Sequence, residues 1–104
     1  MQVIFNETYL CDLYHKGKSS NKKHRYQPNV IRGYQKAIKF LIAAQKIEDL
    51  YPIHSLNFEA LVGDKAGAYS VRANAQYRVE FTVTETQESV VTICNILSLS
   101  NHYK

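Results

Sequence analysis

Ser70-Val71-Arg72-Ala73-Asn74-Ala75-Gln76-Tyr77-Arg78-Val79-Glu80-Phe81 reads as two strands joined at a tight corner, each carrying an arginine. Side chains alternate faces along a strand. Tyr77, Val79, Phe81 and Val83 therefore share an apolar face, and Arg78, Glu80, Thr82 and Thr84 share the other. In the strand before, Tyr69, Val71 and Ala73 oppose Ser70, Arg72 and Asn74. Asn74-Ala75-Gln76 is the expected loop, because asparagine tolerates left-handed backbone geometry. Pairing of these strands would bring Arg72 and Arg78 together on one sheet surface. Two guanidiniums there suit a phosphate, since each offers a planar fork of donors that stays charged.

Working outward, Gln2–Phe5 reads as a first strand, and Asn6 as the cap of a helix through about Tyr14, with Glu7 in its first turn and Gly17 as its stop. Lys16 to Arg25 contains no apolar residue and reads as an exposed loop. A second helix opens at Pro28 and buries Val30, Tyr34, Ala37, Ile38 and Leu41, with Ile31 and Ile42 widening the stripe. Ile47–Tyr51 reads as a short helical turn ended by Pro52, and Gly63-Asp64 with Gly67 as a glycine turn. Strands are expected near 56–61, 68–73, 77–84 and 90–97, with a polar connection over 84–89. This order gives an α+β domain, helices packed on one face of a mainly antiparallel sheet. With 104 residues, residues 1–104 form a single domain with one core.

Charge is distributed unevenly. No Asp or Glu occurs from Leu13 to Ile47, and residues 1–47 carry a net +7 against −3 for residues 48–104. Such polarity suits a polyanion on the basic side, or an acidic protein covering it; a solvated helix face and loop would look the same in sequence. Lys22, Lys23 and Arg25 are the candidate RNA-binding cations, with Tyr77 as a candidate ring for a base. No apolar run approaches the ~18 residues of a membrane span, so no membrane association is expected. Cys11 and Cys94 match no metal or redox spacing. Cys94 reads as a buried thiol in an apolar strand. The four histidines lack ligand-like spacing, so neither a metal nor a cofactor is expected.

Leu61-Val62-Gly63-Asp64, Gly67, Ser70-Val71-Arg72, Asn74, Tyr77 to Phe81 and the tail Asn101-His102-Tyr103 together resemble the HigB branch of the RelE/ParE toxins. The resemblance implies a compact, microbial-ribonuclease-like fold. It also implies a cytoplasmic toxin of a type II toxin–antitoxin pair: a metal-independent endoribonuclease that cuts mRNA, in the ribosomal A site as its relatives do. The implied partners are mRNA, the ribosome and a HigA-like helix-turn-helix antitoxin, with operator DNA reached only through that antitoxin. A non-catalytic binder, such as a ParE-like inhibitor of DNA gyrase or an RNA-binding module, is the alternative.

Metal-independent RNA cleavage needs a base for the ribose 2′-hydroxyl, a cation for the charged phosphorane and an acid for the departing 5′-oxygen. Arg72 and Arg78 suit the middle role. The family tail offers His102 for proton transfer near neutrality and Tyr103 as a hydrogen-bond donor or stacking ring. As a residue near the chain's end, His102 could equally have no role. The chain departs from the pattern in two places. Glu59 and Val62 stand where relatives commonly carry histidine and lysine, and the tail orders its rings differently. Glu59 is then either the base or a strand carboxylate paired with Arg72 or Arg78.

Overall fold

The structure is a computed structural model that describes residues 1–85 and 92–101. Its first strand, β1 (Gln2–Phe5), leads into helices α1 (Thr8–Lys16) and α2 (Pro28–Ala43). Strands β2 (Glu59–Ala60), β3 (Tyr69–Arg72), β4 (Tyr77–Glu85) and β5 (Thr92–Asn101) follow. They form one sheet in the order β1-β5-β4-β3-β2, antiparallel throughout except for the parallel pairing of β1 with β5. The helices cover one face.

α2 buries the apolar stripe expected of it, with Val30, Tyr34, Ala37, Ile38 and Leu41 all in the core. They meet Leu10 and Leu13 from α1 and Val71, Val79, Phe81, Cys94 and Ile96 from the sheet. Ile42 is an exception: it stands 44% exposed, on the outer side of the last turn. The Tyr34 hydroxyl donates to the Leu10 carbonyl at 2.7 Å, which ties the helices together through a buried polar atom. Gly33 permits a close approach of helix to sheet. A Cβ there would lie 1.9 Å from the carbonyl oxygen of Ala73, so the helix backbone rests directly on the end of β3.

Several boundaries differ from the sequence expectation, each for a visible reason. α1 begins at Thr8, because the Asn6 amide donates to the Ile96 carbonyl at 2.9 Å and prolongs the β1–β5 ladder. Glu7 is therefore extended, outside the first turn. The basic segment is not featureless: Asn21 accepts from the Lys23 amide and caps a 3-10 turn over Lys22–His24. The strand expected over 56–61 is reduced to Glu59–Ala60. His54–Leu56 forms a 3-10 turn that buries Leu56, and Asn57 turns the chain with φ +45°. β5 runs on to Asn101 rather than ending near Leu97. A register shift explains how: Glu80 pairs with Ser98 but Phe81 with Ile96, leaving Leu97 as an extra residue. The bulge changes the alternation, so Ile96 and Leu99 both stay in the core.

Gly17 closes α1 with φ +73°, and Gly63 and Gly67 take positive φ in the turn between β2 and β3, as their positions require. Cys94 is a fully buried free thiol whose pKa burial pushes up to about 12. Among the described residues no helix is long and apolar enough to cross a membrane.

Candidate RNA-binding and catalytic face

The corner between β3 and β4 closes through a side chain. The Asn74 Oδ1 accepts from the amides of Gln76 (2.9 Å) and Tyr77 (2.8 Å), so Asn74 serves as a local acceptor without adopting left-handed geometry. With the corner fixed, β3 and β4 pair in register and Arg72 lies directly opposite Arg78. Glu59 pairs across from Ser70, and Ser70 from Glu80. Cross-strand partners share a face, so Glu59, Ser70, Arg72, Arg78 and Glu80 all lie on the side away from the helices.

The two arginines occupy different environments. Arg78 is 6% exposed. Its guanidinium donates to Glu59 at 2.6 and 3.3 Å and to the Ser70 hydroxyl at 3.0 Å. Arg72 is exposed, and among the described residues it enters no ion pair. Glu80 accepts from Lys65 at 2.9 and 3.1 Å and from the hydroxyls of Ser98 and Ser100 at 3.3 Å each. Glu59 and Glu80 thus offset Arg78 and Lys65, leaving Arg72 as the uncompensated charge among these five groups. An incoming phosphate gains most at such a group, which gives up no existing partner.

Glu59, Arg72 and Arg78 therefore come together. Tyr77 does not join them. It is half-buried on the helix side of the sheet, edge-on to Tyr26 with ring centroids 5.5 Å apart. Lys22 and Lys23 are exposed on the 3-10 turn, and Arg25 is exposed immediately after it. His102 and Tyr103 lie outside the described residues. Among those described, no three histidine, cysteine or acidic side chains stand together to hold a metal ion.

Sequence reasoning missed how the basic turn is attached. His24 stacks flat on Tyr9, with centroids 3.6 Å apart and planes 5° from parallel. The Tyr26 hydroxyl donates to the Leu99 carbonyl at 3.1 Å, and Tyr26 meets Tyr77. Burial, with Tyr9 and Tyr77 nearby, pushes the Tyr26 pKa up to about 12. A connected aromatic series thus runs from the basic turn to the start of β4, at the arginine end of the sheet. The only sequence signal was the Tyr-and-His content of the segment, which carries no periodicity.

This combination of sheet order, helix placement and polar outer face defines the class. The fold is that of the RelE-like toxins. It matches a YoeB/ParE toxin from Agrobacterium tumefaciens with a TM-score of 0.59 at 16% identity, covering 99% of this chain and 100% of that one. It also matches a chain of the YoeB-YefM complex from Staphylococcus aureus, with a TM-score of 0.57 at 19% identity, covering 99% of this chain and 98% of the matched one. A comparison with curated proteins gives no match. Residues 3–95 match the HigB-like toxin family, described as the RelE-like toxin of the type II toxin–antitoxin system HigB. The chain belongs to that family.

Proposed function

We propose that this toxin is a cytoplasmic, single-domain, metal-independent endoribonuclease that cuts mRNA, with the ribosomal A site as its working position. The observation that carries the reading is the cross-strand pair on the open face: Arg72 exposed and uncompensated beside Arg78, whose guanidinium is held by Glu59 and Ser70. Arg72 takes the scissile phosphate from solvent. Arg78, already oriented, stabilises the charge that builds on the non-bridging oxygens as the phosphorane forms.

Cleavage of this type is an internal transfer. The 2′-oxygen loses its proton and attacks phosphorus, the bond to the 5′-oxygen breaks, and that oxygen takes a proton on leaving. The products are a 2′,3′-cyclic phosphate and a 5′-hydroxyl. Glu59, half-exposed and fixed at the edge of the sheet by Arg78, is the carboxylate best placed to accept the first proton. His102 is assigned the second transfer and Tyr103 a supporting hydrogen bond, because β5 brings the chain at Asn101 opposite Tyr77, one register step from Arg78. The basic turn at Lys22–Arg25 supplies further, sequence-independent attraction to RNA.

The partner implied by a type II toxin–antitoxin system is an antitoxin, and the Staphylococcus aureus structure that the fold matches is itself a two-protein complex, YoeB-YefM. A HigA-like helix-turn-helix protein is the partner assigned here, contributing the operator-DNA contacts and neutralising the basic half of this chain. The experiment is induced expression followed by primer extension on cellular mRNA, for the native chain, Arg72→Ala and His102→Gln. Discrete cleavages at codons that vanish with Arg72→Ala support the enzyme. Intact mRNA accompanied by DNA damage would move the assignment to a gyrase inhibitor.

A further inference from the structure

Lys65 sits on the 3-10 turn Gly63–Lys65, between β2 and β3. The turn is closed by the Ala66 amide on the Gly63 carbonyl at 3.1 Å and by the Ala68 amide on the Lys65 carbonyl at 3.0 Å. It carries the Lys65 ammonium back over the open face onto Glu80. The carboxylate is largely enclosed, its side chain 15% exposed, whereas that of Lys65 is 58% exposed. An ammonium has three donors. Glu80 engages Lys65 through both oxygens, while the Lys65 side chain stays more than half exposed. Ser98 and Ser100 hold Glu80 from the β5 side, so the pair is built from three separate segments. Glu80 and Arg78 are two residues apart on one strand face, so the Lys65 ammonium, held at Glu80, lies on the same face as the arginine pair.

We propose that Lys65 forms a second phosphate subsite, receiving a backbone phosphate of the RNA next to the one held by Arg72, and that Glu80 is its positioning and attenuating partner. The inference rests on the reading of the open face as the RNA platform. Glu80 fixes where the ammonium stands and offsets most of its charge, so Lys65 contributes direction at a reduced electrostatic gain. Removing Lys65 leaves an unpaired carboxylate facing the phosphates, and neutralising Glu80 leaves an uncompensated cation. The two changes must therefore act in opposite directions on RNA binding. A merely structural ion pair would be damaged by either one.

The test uses the full chain and an RNA carrying 2′-O-methyl groups, which cannot undergo 2′-oxygen attack, both free and positioned in programmed ribosomes. Affinity is measured across a salt series for the native chain, Lys65→Ala, Lys65→Arg, Glu80→Gln and Arg72→Ala. Lys65→Ala is expected to weaken binding about three- to tenfold at low salt and to make the log–log salt slope shallower by a part of the ~0.7 that one uncompensated phosphate contact on a single strand contributes. Lys65→Arg should restore both quantities. Glu80→Gln should tighten binding and steepen the slope. An unchanged slope in Lys65→Ala, or weakening in folded Glu80→Gln, overturns the proposal. If Glu80→Gln fails to fold, the alanine and arginine variants at exposed Lys65 still decide. Arg72→Ala separates the two levels: if it too leaves RNA binding untouched, the platform reading itself fails.

Discussion

Arg72 and Arg78 are direct cross-strand partners with opposite surroundings, one exposed and one 6% exposed under a Glu59–Ser70 clamp. Their alanine variants should therefore separate function from stability. Arg72→Ala is expected to lose about 10²–10³-fold in cleavage, about 2.7–4 kcal/mol of transition-state stabilisation, with an unchanged denaturation midpoint. Arg78→Ala should lose cleavage and also about 1–3 kcal/mol of stability, discounted from a fully buried pair because Glu59 is half-exposed. Urea titration beside single-turnover kinetics measures both; equal stability losses would contradict the assignment.

Gly33→Ala should destabilise the protein by about 1–3 kcal/mol or more, although alanine is ordinarily the better helix residue. The cause is the Ala73 carbonyl, which the new Cβ would strike at 1.9 Å, and both atoms at fault belong to backbone or to Cβ itself. Denaturation midpoints decide it: a stabilised Gly33→Ala would mean that α2 stands farther from β3.

Reversing Lys22, Lys23 and Arg25 to glutamate should weaken association with RNA or ribosomes without moving the cleavage position. These side chains project from a 3-10 turn and supply charge rather than base-reading geometry. The loss should be greatest at low salt and fade as salt rises. Equal low-salt binding by the triple variant would reduce the turn to a solvated connector.

Alkaline pH should unfold the protein early. Tyr34 is raised by burial, Tyr26 moves from 10.0 to about 12, and Cys94 from 9.0 to about 12. Each stays protonated in the fold after its unfolded counterpart has ionised. The stability tied to these groups is thus complete below about pH 9 and drains away towards pH 12, by up to ~1.4 kcal/mol per pH unit for each group in its window. Circular dichroism against pH should show this loss, with tyrosine ionisation arriving together with unfolding. Titration of all eight tyrosines at their ordinary value in a still-folded protein would refute it.

Much of this was legible in the chain because periodicity reports burial. The α2 stripe and the alternation of β4 each imply one buried face, and the register of Arg72 with Arg78 follows from the hairpin. The Glu59–Arg78 pairing was legible only as one of two options, since sequence carries no distance. Gly33 carries no mark of its role in the sequence, because its reason lies forty residues away at Ala73. The bulge at Leu97 left no mark, as Ile96-Leu97-Ser98-Leu99 reads equally well as an ordinary strand end. The His24–Tyr9 stack was hidden for the same reason: contacts between segments without periodicity depend on the finished fold.

β5 lies between β1 and β4, so the earliest strand and the latest described strand are neighbours in parallel. During synthesis, β1 has no sheet partner until residues 92–101 have emerged, and the Asn6 amide waits for Ile96. Closing that long loop is the slow, non-local step of assembly. A partly made chain presents the basic segment before its sheet is sealed. The nascent protein therefore displays its basic charge before its sheet is complete, and under the proposed function the last described strand would act as the arming step.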